Sequence, residues 1–165
     1  DVIESTGGKP MSASQEPIII GCDHAAVEMK EKVKSFLQSR NIEVVDVGTH
    51  GTDSVDYPRF GAKVASAVSE GRHRRGILLC GTGLGMSMVA NRFAGVRAAL
   101  CNDLFSAAMA RRHNDANVLV LGGRVLGDAL ALEIVSTWLD TPFEGGRHQQ
   151  RLAQFDRRED MTGDR

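Results

Sequence analysis

Between Pro17 and about residue 142, five short apolar runs alternate with stretches of helical period. The runs cover residues 18–21, 42–47, 76–80, 96–101 and 117–121, and most close on glycine or a polar residue. The first and third runs are continuously apolar, as suits strands buried on both faces; Glu43, Asp46 and Arg97 interrupt the second and fourth. The stretches between them predict helices. Ala26, Met29, Val33, Phe36 and Leu37 form one apolar stripe, and Phe60 or Gly61, Val64, Ala65 and Val68 form another. Further helices are expected at residues 85–92, 104–112 and 128–139, with Pro58 at a first helical position and Asn102-Asp103 as a cap. Regular alternation of this kind implies right-handed βαβ units. The expected fold is a three-layer α/β/α sandwich with a five-stranded parallel sheet, Rossmann- or flavodoxin-like.

The 165 residues suit one domain, expected over residues 17–155. Residues 1–16 are polar and aperiodic, and predict a disordered leader or an artificial extension ahead of Met11; residues 156–165 predict a polar tail. The formal net charge of −1 gives no general attraction to nucleic acid or an anionic membrane. No apolar run approaches membrane-spanning length, and the N-terminus lacks the apolar core of a secretion signal. A cytoplasmic location is expected. Cys22, Cys80 and Cys101 are odd in number and without CxxC spacing, so neither a disulfide framework nor a cysteine zinc site is expected, and no metal is assigned.

Parallel sheets bind ligands at the carboxyl ends of their strands. Three polar clusters fall there: Cys22-Asp23-His24, the segment 80–85 and Asn102-Asp103. The segment Cys80-Gly81-Thr82-Gly83-Leu84-Gly85 joins a strand to a helix start. Three glycines in five residues let backbone N–H groups face an anion, while the cysteine offers a thiolate. The loop is neither a Walker A motif, since no Lys-Ser/Thr follows, nor GxGxxG, since Met86 stands at the third glycine position. Glycines that merely permit a tight turn, and a cysteine that is only a small buried hydrophobe, are the plainer alternatives. Cys22 and Cys101 are read as structural, and His50 and His73 as surface residues. His113 closes a helix, where it can serve the helix dipole or act as an acid or base. Arg147 and Arg151, at i and i+4, form either a solvated basic face or a phosphate grip, and Arg124 follows another strand end.

Together these segments resemble ribose-5-phosphate isomerase type B, whose family also holds galactose-6-phosphate isomerase subunits. The resemblance is carried by Gly21-Cys22-Asp23-His24, Asp56-Tyr57-Pro58, the 80–85 segment, Arg112-His113-Asn114-Asp115-Ala116-Asn117-Val118, Gly122-Gly123-Arg124, and residues 144–151. It implies a cofactor-free aldose–ketose isomerase of the pentose phosphate pathway, interconverting D-ribose 5-phosphate and D-ribulose 5-phosphate through an enediolate. By resemblance, Cys80 takes the C2 proton, His113 assists ring opening and Thr82 shuttles protons. The N–H groups of Gly81, Thr82, Gly83, Leu84 and Gly85 steady the enediolate. Asp23 and Asn114 hold sugar hydroxyls or the ring oxygen, and Tyr57 lines the pocket. His24, Arg147 and Arg151 grip the phosphate, with Arg124 in support. Met86 stands where one branch of the family has a glutamate base, which places this chain in the cysteine branch. The resemblance further implies a homodimer or dimer of dimers with shared active sites. A related sugar such as allose 6-phosphate or galactose 6-phosphate, and a non-catalytic phosphosugar-binding module, are the competing expectations.

Overall fold

The computed structural model describes residues 16–157 and residue 161. The expected leader, apart from Glu16, and most of the expected polar tail lie outside the described residues. Five strands, β1 (Ile18–Cys22), β2 (Val44–Asp46), β3 (Arg75–Cys80), β4 (Ala98–Leu100) and β5 (Val118–Gly122), form one sheet. All pairings are parallel, in the order β2-β1-β3-β5-β4. Six helices accompany them: α1 (Val27–Ser39), α2 (Tyr57–Ser69), α3 (Leu84–Ala90), α4 (Leu104–Arg112), α5 (Asp128–Asp140) and α6 (Arg147–Leu152). The outer strands β2 and β4 are three residues long, shorter than the apolar runs that contain them.

Strand order and crossover handedness decide which face each helix covers. Right-handed crossovers that step along the sheet in opposite directions put their helices on opposite faces. The links β1 to β2 and β4 to β5 step one way; β2 to β3 and β3 to β4 step the other. The core divides accordingly. On one side Met29, Val33 and Leu37 of α1, Ala107 of α4 and Ile134 and Trp138 of α5 pack on Ile20, Ile77, Leu79, Leu119 and Leu121. On the other, Val64 and Ala65 of α2 and Met86 of α3 pack on Ile19, Leu78, Val118 and Val120. Side chains alternate between the faces along each strand. Cys80 therefore points, with Leu78, toward the α2–α3 layer.

The helices after β1 and β5 go to one face, and the helix after β3 goes to the other. The carboxyl end of β3 thus lies between two diverging chain exits, the place where such sheets leave a crevice. The segment His24–Ala26 is a 3-10 turn capped by Asp23, whose carboxylate accepts from the Ala25 N–H at 3.0 Å.

Candidate active site

Cys80 is the last residue of β3 and is almost fully buried. Its carbonyl accepts from the Gly123 N–H at 2.8 Å, and the Gly81 carbonyl from the Arg124 N–H at 2.9 Å. These bonds tie the glycine loop to the exit of β5. Gly83 turns the chain into α3 with φ 81°, where a side chain would be strained. Its N–H points back to the Cys80 sulfur at 3.2 Å, and the Leu84 N–H to the Thr82 hydroxyl oxygen at 3.2 Å. The N–H groups of Gly81, Thr82 and Gly85 have no acceptor among the described residues. The loop therefore divides its donors: one on the sulfur, one on Thr82, and three left for a ligand.

Two close approaches explain further glycines here. A Cβ on Gly122 would lie 2.7 Å from the Thr82 carbonyl oxygen, and one on Gly85 would lie 2.5 Å from the Tyr57 ring. Tyr57 thus covers the mouth of the loop. The Arg124 guanidinium lies over Gly81, with Nη1 3.4 Å from where a Cβ would be. His24 stands at the exit of β1, where its Nδ1 accepts from the Val55 N–H at 3.1 Å. That bond fixes the tautomer: the proton of the neutral ring sits on Nε2, free to donate. Cys80, residues 81–85, Asp23, His24, Tyr57 and Arg124 thus share the carboxyl edge of the sheet.

The remaining candidates lie elsewhere. The helix α4 returns from the carboxyl end of β4 to the amino end of β5, so its last turn is at the opposite edge of the sheet. The hydrogen bonds there agree: Asn117 N–H donates to the Arg97 carbonyl just before β4, and Gly76 N–H to the Asn117 carbonyl. His113 caps α4 at that edge, and the exposed Asn114 follows it. Helix α6 packs against the same place. Glu144 N–H donates to the Arg112 carbonyl at 3.1 Å, and the His113 and His148 rings stack with centroids 4.2 Å apart and planes 9° from parallel. Arg147 and Arg151 are exposed on α6. A five-residue strand is on the order of 15 Å long. Within one chain, the expected phosphate grip of His24 with Arg147 and Arg151 therefore does not form, and His113 does not reach the sugar carbons that Cys80 would face.

The sequence did hold a signal for this division. A residue that ends a helix and immediately precedes a parallel strand must lie at the amino edge. His148 and Glu144 are the residues that sequence reasoning left without a role; their i, i+4 spacing is the one trace of the contact, Nε2 to Oε2 at 3.6 Å. Lys30 was also missed. It lies beside the apolar stripe of α1 yet is fully buried, with Nζ 2.9 Å from Asp46 Oδ1 and 2.6 Å from the Thr49 carbonyl oxygen.

His113, Glu144 and His148 bring potential metal-ligand atoms within 4.8 Å of one another. Nearly parallel stacked rings, however, do not converge their lone pairs on one point. Glu31, Asp46 and His50 form a second such group, but Asp46 is already held by Lys30 and Lys34. Burial pushes the Cys22 and Cys101 thiols up to about 11, which suits the structural role expected of both.

A thiol beside free backbone donors, at the switch point of a doubly wound sheet, places an anion cradle next to a group able to exchange a proton. The chain belongs to the Ribose/Galactose Isomerase family, whose model matches residues 18–155. It is 48% identical over 135 residues to ribose-5-phosphate isomerase B of Escherichia coli, covering 82% of this chain and 91% of that protein. A ribose 5-phosphate isomerase of Thermotoga maritima has 54% identity and a TM-score of 0.83, over 85% of this chain and 97% of that one. Ribose-5-phosphate isomerase B of Mycoplasma genitalium, solved with bound ribulose-5-phosphate, has 40% identity and a TM-score of 0.85, over 89% of this chain and 98% of that one.

Proposed function

We propose that this protein interconverts D-ribose 5-phosphate and D-ribulose 5-phosphate through an enediolate. The observation that carries the reading is the Cys80 sulfur, seated at the end of β3 within 3.2 Å of the Gly83 N–H and beside a loop with free donors. Once the sugar is open, the Cys80 thiolate takes the proton from C2, and electrons flow to O1. Backbone donors from Gly81, Thr82 and Gly85 stabilise the charge that develops there. Protonation at C1 completes the ketose, with Thr82 relaying protons between the two oxygens. Asp23 and Tyr57 hold the sugar, and His24 and Arg124 supply donors at its rim.

Ring opening requires a proton on the ring oxygen O4 as O1 loses one, and His113 with Asn114 is the group suited to this. Phosphate binding falls to Arg147 and Arg151. These four residues sit at the opposite edge of the chain from Cys80, so a complete site takes them from a second copy. Support for such a homodimer comes from apolar side chains left exposed around the carboxyl edge: Leu84 and Met88, one turn apart on α3, and Phe105 at the start of α4. A twofold pairing that brings the amino edge of one chain over the carboxyl edge of the other makes two equivalent sites. The setting is the cytoplasm, where the thiols stay reduced; among the described residues no helix is long and apolar enough to cross a membrane.

The reading is tested by incubating the purified protein with ribose 5-phosphate and following ribulose 5-phosphate, beside allose 6-phosphate and galactose 6-phosphate. The pentose phosphate should give the highest kcat/KM. Binding of ribose 5-phosphate without any ketose product would instead identify a phosphosugar-binding module.

A further inference from the structure

The pair of stacked imidazoles at the amino edge carries more than a structural contact. His113 ends α4, and its orientation depends on what lies against its ring. His148 lies there, with planes 9° from parallel and centroids 4.2 Å apart. It is itself buried, on the first turn of α6, with Glu144 Oε2 3.6 Å from its Nε2. The Glu144 N–H is in turn bonded to the Arg112 carbonyl, next to His113 in the chain. A half-buried ring thus rests on a buried one, and the two segments are cross-linked beside them.

We propose that His148 is a positioning residue for ring opening: its anchored imidazole holds the His113 ring in one plane and leaves His113 as the member of the pair that exchanges protons with the sugar. This rests on the isomerase reading above and on the ring-opening role given there to His113.

The charges around the pair favour the same division of labour. Burial lowers the proton affinity of His148, and the positive charges of His113, Arg147 and Arg151 lower it further, against the one favourable carboxylate of Glu144. Charge is therefore disfavoured on the buried His148 ring, which is left to act as a fixed neutral platform for its neighbour. In the step itself the C1–O4 bond breaks, O4 receives a proton from His113, and the O1–H proton passes to a solvent water as the C1 carbonyl forms. A ring tilted away from O4 would lose the near-linear donor geometry that general acid catalysis requires.

The chemistry of the two sugars isolates this step. Ribose 5-phosphate is mostly a furanose, whereas ribulose 5-phosphate cannot close a five-membered ring because O5 carries the phosphate. Exchange of its C1 proton in D2O therefore needs the Cys80 half of the mechanism without ring opening. For His148→Ala, kcat on ribose 5-phosphate should fall about tenfold or more with KM little changed, while C1 exchange of ribulose 5-phosphate, read by NMR, keeps its rate. His148→Phe, which preserves a flat ring against His113, should recover most of the lost kcat. Equal loss of both reactions, a change in KM alone, unchanged kcat in His148→Ala, or no rescue by His148→Phe would each overturn the proposal. Circular dichroism of both variants identifies a folding defect, and His148→Phe keeps the test decisive if His148→Ala folds poorly. Wild-type protein that forms no ribulose 5-phosphate would instead sink the isomerase reading, a separate result.

Discussion

Lys30 donates to Asp46 at 2.9 Å from a side chain with no solvent exposure, joining α1 to the end of β2. Its second bond, to the Thr49 carbonyl, fixes the loop that pairs with Cys22 through the Gly48 carbonyl and the Thr49 N–H. The same loop continues to Val55, which holds His24. A buried ion pair thus sets the approach to the candidate site from outside it.

Asp46→Ala leaves the Lys30 ammonium with the Thr49 carbonyl and a longer 4.0 Å approach to the exposed Glu31, and should cost about 3–5 kcal/mol in chemical denaturation. Burial alone would raise the Asp46 carboxyl, but hydrogen bonds from Lys34, Lys30 and the Gly48 N–H outweigh it and hold the group below its usual range. A carboxyl lowered by folding contributes stability that is present above its unfolded value, about 3.9, and is lost as pH falls through its folded one. Wild-type stability should therefore drop on acidification below about pH 4, and Asp46→Asn should flatten that part of the curve.

Two glycines of the site should respond differently to a methyl group. Gly122→Ala places a Cβ against the Thr82 backbone, which cannot move without shifting the loop. It should lower kcat at least about tenfold and cost roughly 1–3 kcal/mol. Gly85→Ala meets only the half-exposed Tyr57 side chain, which can swing outward. Its stability should stay within about 1 kcal/mol of wild type, with the effect falling on KM. Steady-state kinetics and thermal melts of the two proteins make the comparison.

Cys80→Ala should abolish exchange of the C2 proton of ribose 5-phosphate while calorimetry still detects binding. Near-normal turnover would remove Cys80 as the base. For Cys22 and Cys101, with thiols pushed up to about 11, about one molecule in a thousand is thiolate at pH 8. Both should stay unalkylated by iodoacetamide in the folded protein, as peptide mass spectrometry will show.

Sharing of sites between chains predicts complementation. Cys80→Ala and His113→Ala proteins, each inactive alone on ribose 5-phosphate, should regain up to about one quarter of wild-type activity after mixing and subunit exchange, because one site in each mixed dimer is intact. No recovery, in a mixture shown by mass spectrometry to hold mixed dimers, would place the complete site within one chain.

Arg147→Ala and Arg151→Ala remove exposed guanidiniums from α6 and should raise KM for ribose 5-phosphate about tenfold or more, with smaller effects on kcat. An unchanged KM in both would take the phosphate elsewhere.

Much of this was legible before any coordinates. Apolar runs marked all five strands, four of them closed by glycine, and the signal is fullest in β1, β3 and β5, which are buried along their whole length. Of the pair Asn102-Asp103 expected to cap α4, Asp103 is the one that does so, its carboxylate accepting from the Ser106 N–H at 2.6 Å. Strand lengths were overestimated at β2 and β4: Val47 and Cys101 still donate to the neighbouring strand, but the N–H groups of Ile42 and Val96 bond back into the preceding turns. Lys30 could not be found, since its partner is 16 residues away and lysine ordinarily marks a solvated face.

By itself, the sequence determined the alternation of strands and helices, the placing of Cys80 at a strand-to-helix junction, and the family to which its motifs belong. These are local properties, written in hydrophobic period, glycine and short-range spacing. Tertiary structure decided the strand order, the ion pair beneath the His24 loop and the stacking of His113 on His148. It also decided that Cys80 and His113 stand at opposite edges of one sheet. That separation follows from α4 running back along the sheet: the chain direction reverses between them, and no pattern within either segment records the distance.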